Sequence, residues 1–300
     1  MKRFLFLLRF IGLGALIYIL SKLEYKELYE VLKSVDFVYI LLYMVAFSIF
    51  FYFRLIRFKY ILNHYGGFPK MFDLFGATVE SQYLNFVMPS RVGDSVKILF
   101  LYDKSNIPKK ITTLAYIYDK FQDLWFIAIV GSFAFFFVLN LPLDTYFIIF
   151  IIVITLMFVF RNFLLEKLSN KLHVNEFKKL NIKVDIILLL GNFAIYAVFF
   201  VQYYFVALAL HVHVGFVYFT SVVILGILVS LLPISMAGIG VREGVFIYYL
   251  GLVGVSKENA FLVSFLDNAG LTIFIIISLH IIYKILSVYF EKREKNEKTE

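Results

Sequence analysis

The chain has 300 residues, of which 62% are hydrophobic and 17% charged, with a mean hydropathy of +0.86 and a net charge of +8. Soluble domains carry about 45–50% apolar residues, so this composition excludes an ordinary soluble globule and predicts a membrane protein. The sequence contains no cysteine, which excludes disulfides, thiolate nucleophiles and cysteine-based metal sites. The net positive charge does not indicate nucleic-acid binding, because basic residues are enriched in the cytoplasmic loops of membrane proteins.

Apolar stretches recur along the whole chain at lengths that suit a bilayer, since a membrane-spanning helix needs about 20 mostly apolar residues. They lie at about 4–21, 36–58, 113–139, 143–160, 184–210, 214–233 and 258–287, with a shorter one at 244–254. The sequence therefore predicts an all-α fold, a polytopic transmembrane helical bundle of about seven or eight spans.

The distribution of charge divides this bundle. We predict a single integral membrane domain over residues 1–290, with halves 1–160 and 184–290 joined by the basic connector 161–183. Residues 291–300 are charged and poor in apolar side chains, and are predicted to form a disordered cytoplasmic tail.

The positive-inside rule gives the orientation in the cell membrane. With both termini in the cytoplasm, 25 of the 29 Lys and Arg residues fall inside, and Lys22, Lys26, Lys33 and Lys257 fall outside. The external segment 21–35 repeats apolar residues at helical spacing against a polar face. It is predicted to be an amphipathic helix on the outer interface.

Two apolar stretches, residues 70–101 and 230–244, are interrupted by proline, glycine and charged residues. Irregular backbone at membrane depth survives only where protein or a wet cavity surrounds it. The first stretch is predicted to be a re-entrant or interfacial hairpin, and the second a broken helix. They contain NFVMPSRVGD, from Asn85 to Asp94, and LLPISMAGIGVRE, from Leu231 to Glu243. Each joins proline, small residues, glycine, arginine and a carboxylate, which suggests an internal repeat and points to a transport site.

The chemistry of such segments favours anions. A broken helix exposes backbone N–H groups, glycine allows close approach, and arginine can hold a phosphate with two parallel hydrogen bonds. The predicted substrate-binding residues are Arg54, Arg57, Glu80, Asn85, Pro89, Arg91, Gly93, Asp94, Lys97, Asp119, Lys120, Asp123, Pro233, Gly238, Gly240, Arg242 and Glu243. The alternative for the charged members is structural pairing with one another, or anchoring of a helix end at the interface.

At these residues the chain resembles the flippase-like membrane family of lysylphosphatidylglycerol synthetases. Asn85–Lys97 matches its N-x-x-x-P-x-R-x-G-[ED]-x-x-[RK] motif, and Pro233–Gly244 matches P-x-x-x-x-G-x-G-x-R-E-G. Arg54–Leu62 and Tyr118–Asp123 resemble two further segments. The chain departs from the family at Asp119–Lys120, where Glu-Arg is usual, and at 266–268, where an arginine is usual. Lysine lacks the planar fork of arginine, so phosphate contact there would differ.

The resemblance implies the lipid-translocating part of such proteins and not the lysyl transferase. It implies a flippase-like transporter of an anionic phospholipid or a polyprenyl-phosphate-linked sugar, with membrane lipids as partners and no cofactor or metal. Two alternatives stay open. One is a membrane-embedded lipid or glycan transferase using Asp119 and Asp123 with a divalent metal. The other is an accessory subunit of a glycosyltransferase.

Overall fold

The computed structural model describes residues 10–87, 92–137, 145–174, 179–230 and 238–297, and within these ranges the regular structure is helical. The helices are α1 (Phe10–Lys22), α2 (Tyr25–Lys33), α3 (Phe37–His64), α4 (Met71–Val87), α5 (Val92–Ser105), α6 (Lys109–Phe137), α7 (Thr145–Val159), α8 (Arg161–Lys171), α9 (Ile182–Ala209), α10 (Phe216–Ser230), α11 (Val241–Gly251), α12 (Lys257–Phe265), a π-helical turn (Leu266–Leu271) and α13 (Thr272–Glu297).

The centre of the bundle is the pair α3 and α9, which pack on each other more extensively than any other two described helices. The side chains of Asp36 and Asn181 cap their N-termini by accepting hydrogen bonds from backbone N–H groups. Each has 28 residues, about 42 Å of helix, which exceeds the hydrocarbon thickness of a bilayer. With the continuous stretch Lys257–Phe290, they are the three described helices long and apolar enough to cross a membrane. The predicted all-α membrane bundle is confirmed.

The outer surface of the bundle is apolar. Phe37, Leu190 and Ile285 are each more than 60% exposed, and many other large apolar side chains share this exposure. Soluble proteins do not display apolar surface on this scale, whereas lipid accepts it. Because lipid tails are as apolar as the helix faces, helix association in the bilayer depends on close packing and on polar contacts between helices.

The helices on either side of each interruption pack side by side: α4 packs on α5, and α10 packs on α11. α13 covers α4, α1 covers α11, and α6 contacts both α3 and α10. The two segments are therefore placed in different parts of the bundle, each beside its own neighbours.

Three local predictions can be compared with the structure. The amphipathic segment contains α2, in which no residue is buried. The connector is partly helical, since α8 occupies 161–171, and Arg161 pairs with Asp185 at the start of α9. The predicted tail 291–300 overlaps the end of α13, which continues to Glu297. Glu, Lys and Arg are good helix formers, so they extend a helix that is already nucleated.

Candidate functional site

Arg57 is the centre of a buried network that joins the three helices α3, α6 and α9. Its side chain is 2% exposed. Nε donates to Asp119 Oδ1 at 2.9 Å, Nη2 lies 2.8 Å from Asp123 Oδ1, and Nη1 donates to Asn192 Oδ1 at 2.7 Å. For Arg57 the sequence suggested either a phosphate clamp or an anchor at the cytoplasmic interface. Its buried position indicates structural pairing instead, because all three guanidinium nitrogens face groups of the protein itself.

Neutral side chains extend this network along α6 and α9. Asn192 donates to Gln122 Oε1 at 3.1 Å, Gln122 donates to the Tyr118 hydroxyl, and the Tyr196 hydroxyl donates to Asp123 at 3.2 Å. Asn192 and Tyr196 lie one helical turn apart on the same face of α9. They were missing from the sequence-based site, although a polar residue within a long apolar span was the available signal.

Arg54 lies one turn from Arg57 but in a different environment. Its side chain is 29% exposed, and Nη2 lies 3.4 Å from Asp123 Oδ2. The guanidinium carbon is 5.6 Å from the Phe50 ring centroid. Asp123 lies 2.8 Å from Arg57, so the 3.4 Å contact of Arg54 is the weaker of the two ion pairs that this carboxylate makes.

A polar cavity of about 150 Å³ opens beside Arg54, within helices α3 to α6. Its polar lining consists of three cations, two carboxylates and several neutral groups: Arg54, Lys97, Lys120, Asp94, Asp119, Thr78, Ser81, Gln82, Asn85 and Tyr116. A cavity with several charged groups is unusual within an apolar bundle, where ionisable side chains are costly unless they serve a pathway or a partner.

The two lysines of the cavity are held by aromatic rings. Lys97 Nζ lies 3.9 Å from the Phe58 ring centroid, and Lys120 Nζ lies 5.3 Å from that of Tyr116. Among the described residues neither ammonium has a carboxylate within 4.0 Å. Rings stabilise a cation less than a carboxylate does, so both lysines retain the capacity to bind an anion.

The first motif builds one wall of this cavity. Asn85 Nδ2 donates to Asp94 Oδ1 at 3.1 Å, which ties the end of α4 to the start of α5. Gly93 makes this contact possible, because a Cβ atom there would collide with the backbone carbonyl of Ser81 and lie 2.8 Å from the backbone N of Asn85. Pro89 and Arg91 lie outside the described residues.

Glu80 lies on α4 but does not line the cavity. Its carboxylate is 2.8 Å from Lys284 Nζ and 3.4 Å from His280 Nδ1, both on α13. The His280 ring stacks on Tyr83 with centroids 4.1 Å apart. These contacts hold α4 against α13. Glu80 was predicted to bind substrate together with the cavity residues, and the structure places it outside the cavity.

The second motif is organised as a helix start rather than as cavity lining. Gly238 and Gly240 have φ angles of 83° and 86°, a conformation that favours glycine. A Cβ atom on Gly240 would collide with the backbone carbonyl of Gly12 in α1. The buried Glu243 carboxylate accepts a hydrogen bond from the Gly240 N–H at 2.5 Å and another from the Ser264 hydroxyl at 3.3 Å. It thereby satisfies a free donor at the N-terminus of α11.

Arg242 turns toward α9, where Nη1 donates to the Tyr203 hydroxyl at 2.8 Å. No described residue of the second motif lines the cavity, and Pro233 lies outside the described ranges. The structure thus brings together the first-motif residues with Arg54, Asp119 and Lys120. It places Arg242 beside Tyr203 of α9 and Glu243 at the N-terminus of α11.

A comparison with protein families gives one match. The family model described as lysylphosphatidylglycerol synthase TM region matches residues 5–278, which include both motifs and every helix from α1 to α12. A comparison with curated proteins finds no match.

Proposed function

The chain belongs to the family of the lysylphosphatidylglycerol synthase transmembrane region, a membrane family of lipid-related function, and from this premise we propose that it translocates a lipid with a phosphate-bearing head group. The lipid is an anionic phospholipid or a polyprenyl-phosphate-linked sugar. The observation that carries the proposal is the cavity of about 150 Å³ in which Lys97 and Lys120 lack carboxylate partners among the described residues.

The size of the cavity suits a head group and not a whole lipid. About 150 Å³ accommodates a phosphate with a few waters, while acyl chains need far more space. The head group would enter the polar cavity while the tails remain in the bilayer, against the apolar outer faces of the helices. This arrangement avoids burying long apolar chains inside the protein and avoids exposing the phosphate to hydrocarbon.

The charges of the lining favour a phosphate. Arg54, Lys97 and Lys120, with the adjacent Arg57, carry four positive charges against the three carboxylates Asp94, Asp119 and Asp123, so the group keeps a net positive charge. Asp94 is held by the Asn85 amide. Two lysines and one arginine around a small space can surround a phosphate from several sides, and each charge-assisted hydrogen bond is stronger than a neutral one.

The position of the cavity along α3 suggests its side of entry. Arg54 lies about 15 Å along the helix from His64, the end that the distribution of charge assigns to the cytoplasm. We propose that the head group enters from this leaflet and is released on the other after the helices around the cavity rearrange.

The test measures movement of labelled phospholipid between the leaflets of proteoliposomes that contain the purified protein. Lys97→Gln and Lys120→Gln should each reduce the rate several-fold, and the double substitution should reduce it further, because neutral side chains lose the charged contact with phosphate. Lys167→Gln, at an exposed position on α8, is the matched control and should leave the rate unchanged.

Two outcomes would contradict the proposal. One is a wild-type protein that moves neither anionic phospholipids nor polyprenyl phosphates; copurification with a glycosyltransferase would then favour the accessory role. The other is a double lysine variant that folds and retains the full rate, since the cavity could not then be the path of the head group.

The geometry gives less support to a metal-dependent transferase. That reaction needs Asp119 and Asp123 to hold a divalent ion between them, and Arg57 lies 2.8 Å from both carboxylates. The same guanidinium therefore occupies the position at which the two carboxylates converge. Metal-dependent product formation that Asp119→Asn abolishes would reverse this preference.

A further inference from the structure

Asp267 is a carboxylate that neither the sequence motifs nor the cavity accounts for. It lies in the π-helical turn Leu266–Leu271, within the long apolar stretch Lys257–Phe290, and it is 4% exposed. Single π turns inside α-helices frequently mark functional positions, and ionisable residues inside a membrane span are retained for a purpose. The question is what such a carboxylate binds.

The groups around Asp267 are neutral. Gln202 Nε2 donates to Asp267 Oδ1 at 3.3 Å, and the hydroxyls of Tyr43 and Tyr203 face the same carboxyl group. Thr272 donates to the Asp267 backbone carbonyl at 2.5 Å, and its hydroxyl lies 3.1 Å from that of Tyr43. These contacts come from α3, α9 and α13, so the carboxylate is enclosed on several sides.

The charged groups nearby are already engaged. Arg242, on α11, donates to the Tyr203 hydroxyl at 2.8 Å, and no described lysine or arginine lies within 4.0 Å of Asp267. Glu243 follows Arg242, but its carboxylate is held by the Gly240 N–H and the Ser264 hydroxyl. Tyr43 and Tyr203 are the remaining titratable groups that face Asp267.

This environment distinguishes Asp267 from the other fully buried carboxylates in the described ranges. Asp119 is paired with Arg57, Glu80 with Lys284, and Glu258 lies 3.6 Å from Lys257. Glu243 lies at a helix N-terminus, where free N–H groups stabilise negative charge. Asp267 has neither a paired cation nor a helix terminus, so its negative charge is the least compensated of the five.

A second observation points to a proton as the ligand. Gln202 is 2% exposed, and its Oε1 atom has no hydrogen-bond partner among the described residues. The Gln202 amide therefore offers Asp267 a donor when the carboxylate is charged and, after rotation, an acceptor when the carboxyl group is protonated. A side chain that can satisfy both protonation states suits a group that alternates between them.

We propose that Asp267 takes up and releases one proton in each transport cycle, which couples translocation of the head group to a proton gradient. This inference rests on the proposed transport function and adds its energy source. Protonation neutralises the carboxylate, and deprotonation returns the proton to solvent on the other side, so no other reactant is consumed.

Helix α9 links Asp267 to the cavity. Asn192, Tyr196 and Tyr203 lie on one face of this helix, at spacings of four and seven residues. The first two contact the Arg57 network, and Tyr203 faces Asp267 and binds Arg242. A change of charge at Asp267 therefore acts on the helix that also contacts Arg57, whose partner Asp119 lines the cavity.

The experiment compares lipid movement in proteoliposomes with and without an imposed pH gradient. The wild-type protein and Asp103→Asn, a matched control at an exposed position, should accelerate several-fold with the gradient. Asp267→Asn should lose the acceleration, so that its rate is the same with and without the gradient, because asparagine cannot exchange a proton.

A second measurement does not depend on transport. An infrared pH titration of the protein in nanodiscs should show the carbonyl band of a protonated buried carboxyl group in the wild type and in Asp103→Asn, and not in Asp267→Asn. If Asp267→Asn fails to fold, Gln202→Leu replaces it: without the amide donor the band should persist to higher pH.

The outcomes separate this inference from the transport function. A wild-type protein that moves lipid at a rate independent of the pH gradient overturns proton coupling and leaves the flippase proposal standing. Acceleration by a sodium gradient and not by a pH gradient assigns the site to a metal cation and also overturns it. A wild-type protein that moves no lipid overturns the function itself, whatever the infrared titration shows.

Discussion

The buried network around Arg57 predicts a large contribution of this side chain to stability, and Arg57→Met is the substitution that tests this. Methionine keeps much of the length and the apolar stem but removes the charge. Asp119 and Asp123 would then remain buried, with Arg54 as the nearest arginine at 3.4 Å from Asp123. Asn192 would lose its donor as well.

Removing one partner of a buried ion pair costs about 3–5 kcal/mol, because the remaining charge has no compensation. Here two carboxylates lose the same partner, so we expect the upper part of that range. At about 2–4 °C per kcal/mol, the apparent melting temperature should fall by roughly 10–20 °C.

Thermal unfolding of the detergent-solubilised protein, followed by size-exclusion chromatography of the remaining fraction, measures this loss. Lys167→Met, which removes an exposed lysine from α8, serves as the control and should change the melting temperature little. The triple variant Arg57→Met, Asp119→Asn, Asp123→Asn should recover much of the loss, since no uncompensated charge remains. A stable Arg57→Met, or a triple variant no more stable than the single one, would refute the assignment of Arg57 to structural pairing.

The close contact at Gly93 predicts that Gly93→Ala separates α4 from α5 and costs about 1–3 kcal/mol, measurable by the same unfolding assay. Gly191→Ala, within α9 and with nothing within 4 Å of an added Cβ atom, should be neutral or slightly stabilising, and equal effects at the two sites would disprove the packing argument. The absence of native cysteine allows a clean test of orientation: a membrane-impermeant maleimide should label Ser34→Cys on intact cells and Lys167→Cys only after lysis. The reverse pattern would show that the positive-inside argument gives the wrong topology.

The class of fold could be predicted from the sequence because it depends on quantities summed over many residues. A span such as α9 is recognised from its length and apolar content, and neither depends on its neighbours. The two interrupted segments were recognised for a similar reason, since proline restricts the backbone locally and glycine permits conformations that other residues avoid. The extension of α13 to Glu297 was missed because a charged composition alone does not distinguish a disordered tail from the solvated end of a helix.

The candidate site could be predicted only in part. The sequence selected the charged residues of the first motif, and Gly93, Asp94 and Lys97 do lie together beside Arg54 and Lys120. It did not separate residues that bind a ligand from residues that bind each other. Arg54 and Arg57 are neighbours on one helix, yet 29% of the first side chain and 2% of the second is exposed.

The sequence by itself therefore determined that the chain is a helical membrane protein with two charged, interrupted segments. Only the tertiary structure decided that the two segments lie in different parts of the bundle. It also decided that Arg57 pairs with Asp119 and Asp123, and that Asp267 accepts a hydrogen bond from the neutral side chain of Gln202. The physical reason is that the cost of a charge in the bilayer depends on what surrounds it. Its partners come from helices far apart in the sequence, such as α3, α6 and α9, and their approach is fixed by packing rather than by local pattern.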